Sequence, residues 1–191
     1  MTKADLRSTL RARRAAFARD CGPMQSAFVA SLFVAEHAAP QLAGARIVSA
    51  FVSDGSEVDP MALLLRAIDA GIATALPRVT RRDQPMRFHR WMPGDELVPG
   101  PLGLLQPRED APTVEPDLIL APLLGFDRRM NRLGQGAGFY DRVFAALPAA
   151  RRIGLAWSVQ EVDAIPTESW DMPLHGVATE KEWIDGAAAR A

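Results

Sequence analysis

A single cysteine in 191 residues excludes an internal disulfide framework, and no His/Cys spacing in the chain suits structural zinc. Cys21 reads as a small residue near a helix end. No apolar run approaches the roughly 20 residues needed to cross a bilayer, and the opening Met1-Thr-Lys-Ala-Asp-Leu-Arg7 lacks the apolar core of a secretory signal, so a cytoplasmic protein is expected. Charge of one sign is also missing. With 22 basic against 23 acidic residues the net charge is −1, which provides no field to gather nucleic acid or an anionic membrane. Small-molecule partners and a monomer are the default expectation, and any basic site must be local. What the chain does have is 48% hydrophobic content, enough for one core, so residues 1–191 are expected to form a single domain with a flexible tail over 186–191.

The apolar pattern begins helical. Thr2 with Asp5 three residues on forms a capping-box-like opening for a helix to about residue 19, with Leu6, Leu10 and Phe17 on one side and Lys3, Arg7, Arg11, Arg13 and Arg14 on the others. A turn at Cys21-Gly22-Pro23 precedes a second amphipathic helix to about His37. From there strand and helix alternate: a strand over Arg46–Val52, a helix over Asp59–Ala70 stopped by Gly71, and a strand over Ile72–Leu76 make a βαβ unit. Further strands are expected at Met86–Trp91, Asp117–Ala121, Arg152–Trp157 and Gly176–Thr179, with a helix over about Phe139–Leu147. The pattern predicts an α/β protein, a three-layer α/β/α sandwich with a mostly parallel sheet. The proline- and glycine-rich stretch 92–116 predicts a long irregular excursion over the surface.

One loop concentrates the chemistry. Between Pro122 and Arg142 lie glycines alternating at 134, 136 and 138, the arginines Arg129, Arg132 and Arg142, and the carboxylates Asp127 and Asp141. Glycines let backbone N–H groups converge on an anion, guanidinium groups add charge, and carboxylates can take a divalent cation, so the expected visitor is a nucleoside triphosphate. Neither a Walker loop nor the dinucleotide fingerprint fits, because Gly138 is followed by Phe139-Tyr140 and the glycines step by two. In an open α/β sheet ligands sit beyond the carboxyl ends of the strands. Both this loop and Ser53–Glu57 leave such ends, so Glu57 and the glycines can face one cleft.

The ordered series Lys3/Arg7, Glu57, Leu76-Pro77-Arg78, Trp91-Met-Pro-Gly94, Gly103-Leu-Leu-Gln-Pro107, Phe126-Asp127, Arg132-Leu-Gly-Gln-Gly-Ala-Gly-Phe-Tyr-Asp-Arg142, Ile153–Trp157, Gln160, Ile165-Pro166, Asp171 and Thr179-Glu180 resembles the 5-formyltetrahydrofolate cyclo-ligases, or 5,10-methenyltetrahydrofolate synthetases, over nearly the whole chain. The resemblance implies ATP- and Mg2+-dependent closure of 5-formyltetrahydrofolate to 5,10-methenyltetrahydrofolate through a phosphorylated formyl group. It implies that Lys3 and Arg7 reach ATP phosphates, that Arg132, Gly134, Gln135, Gly136, Ala137, Gly138, Phe139 and Tyr140 wrap the triphosphate, and that Asp141 and Asp171 hold magnesium. It further implies that Val52, Glu57 and Trp91 take the folate, with Gln135, Gly136, Ala137, Gly138 and Phe139 beside the formyl group and Arg132, Gln135 and Tyr140 closest to the reaction. The chain differs from the family pattern at Met130, Ala137 and Trp170. Two alternatives stand beside this: a sugar-phosphate isomerase or CoA-transferase-like enzyme with Glu57 as base, and a non-catalytic folate- or nucleotide-binding protein.

Overall fold

Thr2 and Asp5 exchange hydrogen bonds, the Asp5 N–H donating to Thr2 Oγ1 at 3.2 Å and the Thr2 N–H donating to the Asp5 carboxylate at 3.0 Å, which satisfies N–H groups that a helix start leaves without partners. The helix α1 that follows spans Lys3–Asp20. Its apolar side is the expected one: Leu6 and Leu10 are buried with Leu124, Leu133 and Ile165, and Phe17 stacks at a tilt on Trp157, ring centroids 5.2 Å apart. The approach is so close that a Cβ on Gly125 would stand 2.5 Å from Leu10.

The computed structural model describes residues 2–20, 25–81, 84–101 and 103–187. Cys21, the expected turn at 22–23 and the tail beyond 187 lie outside them. The other helices are α2 (Gln25–Ala38), α3 (Met61–Asp69) and α4 (Phe139–Ala146). Among the described residues no helix is long and apolar enough to cross a membrane.

Five parallel strands form the centre of the sheet: β1 (Ile47–Ser49), β2 (Ala73–Arg78), β7 (Leu118–Pro122), β10 (Arg151–Leu155) and β11 (Gly176–Ala178). Strands β3 (Arg87–Arg90) and β12 (Trp183–Asp185) run antiparallel to them, and β6 (Thr113–Val114), antiparallel to β3, completes the order β12-β11-β10-β7-β1-β2-β3-β6 among the described residues. Alternation along each strand splits the core into two faces. Val48, Leu76, Leu118 and Leu120 pack with Val34 and Ala35 of α2 and Leu63 and Leu64 of α3. Ala75, Ile119 and Val177 pack with Val143 and Phe144 of α4. The three layers are those expected.

Two small hairpins were not legible from the pattern. One joins β4 (Leu97–Pro99) to β5 (Leu105–Pro107), inside the stretch expected to be irregular; the other joins β8 (Gly125–Phe126) to β9 (Arg132–Leu133). Strands of two or three residues are too short to display a period of two, and prolines at 99 and 107 masked the first pair. Arg78, at the end of β2, donates to the Pro107 carbonyl at 2.7 Å and ties the first hairpin to the central sheet.

Candidate functional site

The chain leaving the carboxyl ends of the parallel strands walls a cavity of about 800 Å³. Phe51 and Val52 follow β1, Pro77 and Val79 come from the end of β2, and Pro122 and Leu123 from the end of β7. The same cavity receives Lys3 and Arg7 from α1, Glu57, every residue from Arg132 to Asp141, and Asp171. The Ser53–Glu57 loop and the glycine loop therefore meet, as the strand-end argument required. Leu104, Leu105 and Gln106 of the first hairpin and Trp170, which is 65% exposed, complete the rim.

Glu57 is held by a small polar scaffold. Asp54 Oδ1 accepts the Ser56 and Glu57 N–H groups at 3.0 and 3.1 Å, folding the loop on itself. Trp157 Nε1 donates to the Ser56 carbonyl at 2.9 Å, pinning that fold to the sheet. Burial disfavours the charge of Asp54, yet its bonds from Ser56, with Arg14 and the Glu57 N–H, hold its carboxyl below the usual carboxylate range. Glu57 goes the other way: burial pushes its carboxyl up, Arg14 opposes the rise, and the Asp54 charge adds to it.

Asp127, fully buried, organises the turn that launches the glycine loop. Its Oδ1 accepts the N–H groups of Arg129 and Asn131, both at 3.0 Å, and its Oδ2 accepts the Asn131 amide at 2.9 Å and the Ile165 N–H at 3.0 Å. This turn holds Met130 at φ 68°, a left-handed conformation that suits the glycine usual in the family pattern. The Met130 side chain is 1% exposed. Met130→Gly gains about 1 kcal/mol of backbone relief but forfeits a buried side chain worth about 2–5 kcal/mol. The expected outcome is a net loss of roughly 1–4 kcal/mol in denaturant unfolding, with ligand affinities retained.

Beyond the turn, Gly138 caps α4 with φ 67° and Gly136 sits at φ 102°. Arg132 enters the cavity with its side chain 5% exposed and donates to Asp141 Oδ1 at 2.6 Å. Its guanidinium carbon lies 5.6 Å from the Tyr140 ring centroid and 5.5 Å from that of Phe144. The Arg132 Nε and the Tyr140 hydroxyl are both buried without a hydrogen-bond partner. Burial, reinforced by the Glu57 charge, raises the Tyr140 phenol above its ordinary value, so it stays a donor.

The cationic face of α1 closes the loop from above. Arg7 Nε donates to the Gly134 carbonyl at 3.0 Å, and Arg11 Nε to Gln135 Oε1 at 3.0 Å. Lys3 Nζ lies 2.8 Å from Asp171 and 3.2 Å from Glu168. Burial opposes the Lys3 ammonium, but these two carboxylates outweigh it and raise its value. Among the described residues no group of three or more His, Cys, Asp or Glu side chains could hold a metal alone. Asp141 and Asp171 offer hard oxygen donors on the cavity wall, which suits magnesium, an ion usually bound by one or two carboxylates plus substrate phosphates.

Three expected residues lie elsewhere. Trp91 is 5% exposed in the core beside α2 and α3, its Nε1 donates to the Asp95 carbonyl at 3.2 Å, and it borders a second concavity with Arg90 and Met92. Alternation explains this: Phe88 points to the α4 face, so Trp91, three residues on, points to the other. Arg129 is exposed on the 127–131 turn, off the cavity wall. Arg142 donates to the Ala137 carbonyl at 3.1 Å and lies over Phe139, bracing the loop from outside. Sequence reasoning missed Arg14, Asp54 and Glu168. A signal for Arg14 existed in the helical spacing of Lys3, Arg7, Arg11 and Arg14.

The model of the 5-formyltetrahydrofolate cyclo-ligase family matches residues 1–180. The chain belongs to that family. It is 38% identical over 149 residues to a 5-formyltetrahydrofolate cyclo-ligase of Mycolicibacterium smegmatis, covering 73% of this chain and 76% of the relative. It is 33% identical over 152 residues to the Escherichia coli K12 protein of the same description, covering 75% and 84%. The fold matches the solution structure of Aquifex aeolicus 5,10-methenyltetrahydrofolate synthetase with a TM-score of 0.81 over 97% of this chain and 93% of that one, at 24% identity. Membership makes the chain an enzyme of folate metabolism, which sets aside the isomerase and CoA-transferase alternatives.

Proposed function

We propose that this protein uses Mg-ATP to close 5-formyltetrahydrofolate to 5,10-methenyltetrahydrofolate, releasing ADP and phosphate, and that it works as a cytoplasmic, monomeric single domain. The observation that carries this reading is the shared cavity, whose wall brings the largely buried carboxylate of Glu57 together with the glycine loop, Arg132 and Tyr140. Glu57 accepts from the N–H edge of the pterin, with Val52 beside it. Arg132, Lys3, Arg7 and the loop amides from Gly134 to Phe139 take the phosphates, for which planar guanidinium forks and converging N–H groups are suited. Asp141 and Asp171 would hold magnesium, which supplies neutralisation of phosphate charge.

The reaction then follows from positioning. The formyl oxygen displaces ADP from the γ-phosphorus, forming an iminium phosphate. N10 attacks the formyl carbon, the C–O bond breaks as phosphate leaves, and the N10 proton is lost. Arg132 stabilises charge spreading over the transferring group, while Gln135 and Tyr140 stand on the wall of the cavity where the ligands meet. Purified protein incubated with 5-formyltetrahydrofolate and Mg-ATP should show methenyl-folate absorbance rising in step with phosphate release. Binding of both ligands with no product would instead mark a non-catalytic folate-binding protein, and no binding of either would end the proposal.

A further inference from the structure

The deepest cation on α1 faces Glu57 rather than the phosphate loop. Arg14 is 4% exposed, and its guanidinium forks: NH1 donates to Glu57 Oε1 at 2.8 Å, and NH2 to Asp54 Oδ2 at 2.7 Å. Glu57 Oε2 accepts one further bond, from the Asp54 N–H at 3.3 Å. A carboxylate has about four lone-pair sites, so an ionised Glu57 bonded in this way keeps acceptor capacity for a ligand. The side chain of Glu57 is 11% exposed, with Asp54 beside it and the Tyr140 ring of α4 on the same cavity. Without a counter-charge, burial and the Asp54 negative charge would both favour the protonated acid. Protonation would turn one acceptor oxygen into a donor, which repels a row of N–H donors.

We propose that Arg14 is a positioning residue for substrate recognition, keeping Glu57 ionised and aimed so that it accepts from the pterin edge. The inference rests on the assignment of Glu57 to the folate made above. Arg14 acts through Glu57 and touches neither ligand. Its influence should therefore fall on folate affinity, spare nucleotide affinity, and vary with pH. Folate binding needs the ionised acid, so affinity falls as pH drops through the Glu57 value. With Arg14 gone that fall begins at higher pH, because the Arg14 charge that opposes protonation has been removed.

The test is equilibrium binding of 5-formyltetrahydrofolate and, separately, Mg-ADP to the unaltered protein, Arg14→Met, Arg14→Lys, Glu57→Gln and the double variant Arg14→Met/Glu57→Gln. Arg14→Met should weaken folate binding about tenfold or more near neutral pH, recover part of the loss near pH 8.5, and leave Mg-ADP binding unchanged. Arg14→Lys should restore most of the affinity. In the Glu57→Gln background the Arg14→Met change should add no more than about twofold. If Arg14→Met does not fold, the lysine variant and the double variant, in which no ionisable acid remains at position 57, still decide the matter. An Arg14→Met loss equal at all pH values, equal for both ligands, or fully additive with Glu57→Gln overturns the inference. Failure of the unaltered protein to bind 5-formyltetrahydrofolate would overturn the functional reading itself.

Discussion

Replacing Arg132 with alanine should raise the KM for ATP about tenfold to a hundredfold while moving 5-formyltetrahydrofolate affinity by no more than about twofold. The size follows from what the guanidinium is. Its side chain is 5% exposed and pinned by Asp141 and by two aromatic rings, so its donors need little reordering to meet a phosphate. Charge-assisted bonds of this kind are each worth about 1.5–3 kcal/mol. The same substitution leaves Asp141 without its partner, so a stability loss of about 1.5–3 kcal/mol in denaturant unfolding is expected alongside. Asp141 is 29% exposed, and water will screen part of that cost. Paired titrations of ATP and 5-formyltetrahydrofolate against the variant check the division of labour, and equal losses for both ligands would count against it.

Glu57→Gln should do the reverse, weakening 5-formyltetrahydrofolate about tenfold to a hundredfold and sparing ATP. Glutamine keeps the shape but replaces one acceptor oxygen with a donor NH2. A second signature accompanies the loss. In the unaltered protein the Glu57 carboxyl sits above its ordinary value because it is buried, so folate affinity is full above that value and is lost as pH falls through it. The glutamine variant has no such proton to take up, and its folate affinity should be flat over the same range. A pH dependence that survives the substitution would place the titrating group elsewhere.

Several motif residues that mark the family turn out to hold the site rather than line it. Gln160 accepts from the Trp157 N–H at 2.8 Å and donates to the Leu123 carbonyl at 2.7 Å, joining the end of β7 to the chain that follows β10. Asp127 builds the turn before Arg132, and Glu180 accepts the Ser158 N–H at 2.8 Å. A linear pattern treats such residues and ligand-facing ones alike, because both are polar groups next to glycines and strand ends. Which of the two a residue is depends on where its hydrogen bonds close.

The sequence by itself determined the layered α/β plan, the parallel strands feeding loops to one edge, the helix cap at Thr2 and the glycine loop, because each is written in local periodicity or in residues with special backbone freedom. It also carried the family, through motifs spread along most of the chain. Only the tertiary structure decided that Arg14 stands behind Glu57, that Lys3 meets Asp171 and Arg132 meets Asp141, and that Trp91 belongs to the core. Those pairings join residues from 9 to 168 positions apart. Charge pairing and burial across such distances depend on how helices and strands pack, and no short-range pattern in the chain records it.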